Sequence, residues 1–182
     1  MKHIQTIGNR KVAVIGAGFV GASIAYALAL RDIAREIVLI DIDREKADGE
    51  AGDIRHGIAG MGTADLYAGD YKDCADCDLI IITAGRNRKP GETRRDLADS
   101  NVQIMRDVIT SVQAHYTRGV LLIISNPVDV LTVKATAWME LPDGMVFSSG
   151  CILDSSRFVR CIADYVGLST GVISGWVVGE HG

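Results

Sequence analysis

Proton transfer to or from an alcohol near neutral pH calls for a histidine, and the chain has four. His3 lies in the N-terminal tail, while His56 and His115 close predicted helices, where the dipole favours an imidazole without any chemistry. His181, in the stretch "GEHG", is the remaining candidate base. Such a base needs a carboxylate to orient it and hold its tautomer, and Asp154 in "LDSSR" could serve.

A second group of residues has the spacing of a phosphate grip. Gly16, Gly18 and Gly21 stand at GxGxxG spacing around Ala17, Phe19 and Val20, between a predicted strand and a predicted helix. Gly16 permits the tight turn, Gly18 lets backbone approach a pyrophosphate, and Gly21 lets helix pack on strand. The helix N-terminus offers unpaired N–H groups to the phosphates. Asp41 ends the next predicted strand, where its carboxylate would accept from ribose hydroxyls and repel a 2′-phosphate. The cofactor expected is therefore NAD and not NADP.

A third feature is the basic stretch "AGRNRKPGETRRDL" from Ala84 to Leu97, with Arg86, Arg88, Lys89, Arg94 and Arg95 around Pro90 and Gly91. It is either a solvated loop or a grip for an anion, and within it Arg86 and Arg95 read as surface charge. The pair Cys74 and Cys77 forms a CxxC, but no second pair at zinc-ligand spacing follows it, and no metal site is expected.

The elements that must position these groups alternate along the chain. Strands are predicted at 11–15, 36–41, 64–69, 78–83 and 119–125, and helices at 19–30, 44–57, 97–116 and 128–140. Near-continuous Val, Ile and Leu in the strands means that both sheet faces are covered, which predicts an α/β fold with a doubly wound parallel sheet. A helix follows Phe147, and the final "GVISGWVVGEHG" reads as a strand.

With 182 residues, 48% hydrophobic and 23% charged, the composition is that of a soluble globular protein. A net charge of -4 gives no footprint for nucleic acid or an anionic membrane. The uncharged run from Val12 to Leu30 has the length of a signal or membrane segment, but its period changes from strand to helix at the glycines. Four cysteines with no disulfide pattern suggest reduced thiols and a cytoplasmic setting.

The motifs "GAGFVG", "VLID", "TAGRNRKPGETR", "SNPVDVLT", "LDSSRF" and "VVGEHG", in this order and spacing, resemble the NAD-dependent L-lactate and malate dehydrogenase family, closest to its L-lactate branch. The resemblance covers essentially the whole chain. It implies an NAD-binding domain over 1–148 and the start of a substrate domain over 149–182, the remainder being missing. It also implies that His181 is the proton acceptor and donor, Asp154 its partner, and Arg157 the fork that binds a substrate carboxylate. Arg94 would ride in on a mobile lid to polarise the carbonyl. Asn126 would bond near the carbonyl and the nicotinamide ribose, and Thr83, Ala84 and Gly85 would line the nicotinamide end. Taken singly, Asp154 and Arg157 could be a plain helix pair, and Asn126 a turn former before Pro127.

Three places depart from the family pattern. Position 88 resembles a glutamine in the lactate branch and an arginine in the malate branch. Here it is Arg88, which would pair with the second carboxylate of oxaloacetate and be left unpaired by a methyl group. Val159 and Ser174 stand where bisphosphate-activated relatives resemble one another in having arginine and histidine, so no such activation is expected. The chain also stops at the histidine motif, so it is expected to be the N-terminal part of a longer homo-oligomeric enzyme, a dimer or tetramer, acting on a small 2-oxo or 2-hydroxy acid. Alone it would turn over little. The competing expectation is a non-catalytic NAD-binding module. A short-chain dehydrogenase is disfavoured, since none of the five tyrosines has Lys four residues on.

Overall fold

The computed structural model describes residues 10–87 and 90–181, with Arg94 described in its backbone alone. His3 and Arg88 lie outside the described residues. Six strands form one parallel sheet: β1 (Lys11–Ile15), β2 (Glu36–Ile40), β3 (Asp65–Ala68), β4 (Leu79–Ile82), β5 (Val120–Ile123) and β6 (Val146–Ser148). Their spatial order is β3-β2-β1-β4-β5-β6, the doubly wound arrangement in which the order of strand addition reverses between β1 and β4 while all strands stay parallel. Helices α1 (Phe19–Leu30), α2 (Arg44–Gly57), α3 (Arg94–Gln113), α4 (Val128–Met139) and α5 (Ile152–Val166) complete the chain order.

Alternate residues of each strand enter different cores, because successive side chains point to opposite faces. Val12, Val14, Ile37, Leu39 and Ile81 pack with Ala25, Ala29, Ala47, Ala51 and Ile54 of α1 and α2. Ala13, Ile15, Ile80, Ile82, Leu121 and Ile123 pack with Met105, Ile109, Val112, Leu131 and Ala135 of α3 and α4. Cys74 and Cys77 are free thiols within this second core, where burial pushes both up to about 12.

Two predicted elements are corrected. Helix α3 starts at Arg94, three residues earlier than its apolar pattern suggested, because Thr93 and Asp96 form a reciprocal capping box. The final strand does not form. The Val177 N–H donates to the Ser155 hydroxyl at 3.0 Å instead of to a ladder partner, so the segment is held as irregular chain against α5. The short edge strand β6 had no sequence signal beyond three residues.

At the amino ends of the strands, away from the glycine turn, Lys11 is almost fully buried and its ammonium reaches Asp76 at 2.8 Å and Glu36 at 3.1 Å. The Tyr67 hydroxyl donates to Glu36 at 2.7 Å, completing a polar network under β1, β2 and β3. Among the described residues, no helix is long and apolar enough to cross a membrane.

Candidate active site

The glycine turn lies at the carboxyl end of β1, where the strand order reverses. Gly16 has φ +111°, and a Cβ there would stand 2.6 Å from Thr83 Oγ1 and 2.8 Å from the Ala84 amide. A Cβ on Gly21 would overlap the Gly16 carbonyl, so the start of α1 packs directly on the turn. Around Gly18 a Cβ would meet nothing within 4 Å, and Gly18 caps α1 with no side-chain hydrogen bond. The first-turn amides thus face open space beside the exposed Phe19 and Val20, as a bound pyrophosphate requires.

Asp41, just after β2, does more than the sequence alone suggested. One oxygen accepts from the Ala17 N–H at 2.6 Å and the other from the Asp43 N–H at 2.9 Å. Each oxygen keeps capacity for a further hydrogen bond, so the carboxylate both holds the turn and remains able to meet a ribose diol. These residues fit NAD: an uncapped helix start for the phosphates, space at Gly18, and a fixed acid at the ribose position.

On the other side of the switch point, Thr83 follows β4. Its hydroxyl lies 3.2 Å from the Ile15 carbonyl and 3.1 Å from the Gly16 carbonyl, tying the loop after β4 to the glycine turn. Ser125 donates to the Ala84 carbonyl at 2.6 Å, and Gly85 sits exposed beside Asn101. Asn101, buried on α3, was missed by sequence reasoning. Its amide oxygen accepts from Arg86 N–H at 3.0 Å, and its amide nitrogen donates to the Asn126 carbonyl at 2.7 Å. The only signal available was a polar residue on the inward face of an amphipathic helix.

The basic stretch is only partly solvated. Arg86, taken from sequence as surface charge, is corrected: its guanidinium is paired with Glu92 through two hydrogen bonds and reaches the Ser100 hydroxyl at 2.6 Å. Glu92 raises the Arg86 pKa further by hydrogen bonding. Arg95 is exposed, and Arg94 is the first residue of α3. The substrate-reading role assigned to Arg88 falls outside the described residues, as does the Arg94 side chain.

The third group assembles from α5 and the GEHG segment. His181 Nδ1 lies 2.6 Å from Asp154 Oδ2, both side chains about three-quarters buried. The backbone N–H of His181 donates to Asp129 Oδ2 at 2.7 Å, which anchors the segment to the first turn of α4. Asp129 was read in sequence only as part of "SNPVDVLT". Arg157 Nη1 lies 3.3 Å from Asp154 Oδ1 on the same face of α5, with the remainder of its exposed guanidinium turned to solvent. Asn126, exposed at the carboxyl end of β5, precedes α4; its Oδ1 accepts from Val128 N–H at 3.3 Å. The structure therefore brings His181, Asp154 and Arg157 together, ties them through Asp129 to α4, and places Asn126 at the start of that helix. In the tautomer whose Nδ1–H donates to Asp154, the lone pair of His181 lies on Nε2.

Comparison with known proteins bears on this arrangement. Residues 10–148 match the model of the lactate/malate dehydrogenase NAD-binding domain. An L-lactate dehydrogenase of Priestia megaterium is 46% identical over all of this chain and 57% of its own length. One of Bacillus caldotenax is 48% identical, over 96% of this chain and 55% of its own. The crystal structure of a minor L-lactate dehydrogenase from Enterococcus mundtii in the ligands-bound form superposes with a TM-score of 0.92 at 42% identity, covering 96% of this chain and 56% of that one. The chain thus spans a little over half the length of these relatives.

Proposed function

Because this chain belongs to the lactate/malate dehydrogenase family and carries its NAD-binding domain, we propose that it serves reversible NAD-dependent oxidation of an L-2-hydroxy acid to a 2-oxo acid. The observation that carries the reading is the 2.6 Å pair of His181 and Asp154, at the same carboxyl end of the sheet as the glycine turn. NAD supplies the hydride acceptor, and its reduced form the donor. The chain's own residues do the rest. His181 Nε2 takes the hydroxyl proton as the C–H bond breaks, and returns it to the carbonyl oxygen in reduction. Asp154 holds Nδ1–H and stabilises the imidazolium. Arg157 binds the substrate carboxylate, Arg94 polarises the carbonyl, and Asn126 bonds beside the nicotinamide.

Arg88 supports oxaloacetate and malate as the preferred pair, since a guanidinium facing a methyl group would lose its hydrogen-bond partners. The second reading, pyruvate and L-lactate, is favoured by the names of the relatives at 46% and 48% identity. Within this proposal residues 1–148 bind NAD and 149–182 begin the substrate region, in a cytoplasmic homo-oligomer. Exposed Trp176, Val178 and Val172 beside α5 support further contacts there.

Steady-state rates with oxaloacetate and pyruvate, on the unaltered protein and on Arg88→Gln, test the substrate. A preference for oxaloacetate that inverts in the variant supports the malate reading. A large preference for pyruvate in the unaltered protein overturns it. A chain that binds NADH and oxidises it with neither acid is a nucleotide-binding module.

A further inference from the structure

Cys151 has no part in the reaction proposed above, yet it stands beside the two residues that carry the proton. Its sulfur, one oxygen of Asp154 and a ring nitrogen of His181 all lie within 4.8 Å of one another, and no other such group occurs among the described residues. Cys151 precedes α5 and Asp154 sits in its first turn, so the two point to one side of the helix start while the GEHG segment brings His181 over them. The thiol meets only the Gly179 carbonyl, at 3.4 Å. Cys151 also lines an open groove between α5 and residues 170–177.

We propose that Cys151, Asp154 and His181 bind a borderline-soft divalent cation of the Zn²⁺ type, and that binding reversibly removes His181 from proton transfer. Thiolate, imidazole and carboxylate on one centre is a donor set that favours zinc over magnesium or calcium, which take oxygen ligands. Three protein ligands leave a fourth position for water. On binding, the Cys151 thiol loses its proton to solvent as the sulfur–metal bond forms. The imidazole keeps one proton, which moves from Nδ1 to Nε2 as Nδ1 takes the metal. Nε2 then has no lone pair with which to accept a substrate proton. The regulatory consequence rests on His181 being the base; the binding itself does not.

Competition for Zn²⁺ against a chromophoric chelator tests the site on this chain. One equivalent is expected, with affinity falling tenfold or more in Cys151→Ser, Asp154→Asn and His181→Asn and holding in Cys161→Ser, an exposed cysteine on α5. Substitution with Co²⁺ is expected to give a thiolate-to-metal charge-transfer band in the unaltered chain and in Cys161→Ser but not in Cys151→Ser. NADH binding is expected to be the same with and without zinc. Absence of stoichiometric binding, or binding untouched by Cys151→Ser, overturns the proposal. Failure to bind NADH or turn over a 2-oxo acid would count against the dehydrogenase reading and leave the zinc result standing.

Discussion

The glycine turn offers backbone to a nucleotide, whereas the cluster around His181 offers side chains. Gly16 and Gly21 are buried where strand, turn and helix touch, and a single methyl at either collides with main chain or with Thr83. In α5 only Ser155 and Ala163 are buried, and Asp154 and Arg157 project from a helix whose Ile152, Leu153 and Phe158 stand exposed. The first region couples binding to folding. The second can lose a polar side chain with little effect on the fold.

Asp154→Asn sharpens that contrast most. If the proposed reaction holds, turnover is expected to fall on the order of 10³-fold, the range for misplacing a general base, with NADH affinity and the unfolding midpoint nearly unchanged. A parallel collapse in NADH affinity would break the comparison. Gly21→Ala should behave in the opposite sense. Overlap with the Gly16 carbonyl is expected to cost about 3 kcal/mol in urea unfolding and to abolish NADH binding together with stability.

Asn101→Ala tests the link between the regions, since Asn101 joins the loop start at Arg86 to Asn126. Removing it leaves the Arg86 N–H and the Asn126 carbonyl unpaired, at a cost of roughly 2 kcal/mol by denaturant unfolding, with faster hydrogen exchange over 84–87. Unchanged stability and exchange would show that the two loops do not need the bridge.

The smallest expected effects lie at the amino edge of the sheet. Burial alone would lower the Lys11 pKa, but hydrogen bonds to Asp76 and Glu36 outweigh it and raise it. Its contribution is therefore complete below the ordinary lysine value and is lost only as pH rises through the folded value. Asp76 is held down chiefly by its hydrogen bond to Lys11, so its contribution is complete above the ordinary carboxylate value and is lost as pH falls through the folded one. In a pH series of unfolding midpoints, Asp76→Asn should flatten the acid limb slightly. An unaltered limb would remove this pair from the account.

Much of the fold was legible because it is local. β-branched runs, glycines and helix formers gave β1, α1, β2 and α2 within a residue or so, and the glycine turn announced itself by spacing. The second role of Asp41 was not legible, because its bond to Ala17 N–H spans 24 residues. His181 and Asp154 stand 27 residues apart, and no spacing rule joins them; a chemical requirement and a family resemblance suggested the pair. Arg86 looked like surface charge because a sequence cannot show that Glu92 folds back onto it. The final strand failed because Ser155 satisfied the Val177 amide that a ladder would have used.

Paired titrations of the chain with NADH and NADPH test the nucleotide site most directly. With Asp41 fixed by Ala17 and Asp43 at the ribose position, NADH should bind at least about tenfold more tightly, ~1.4 kcal/mol. Equal affinity, or tighter binding of NADPH, would contradict the account.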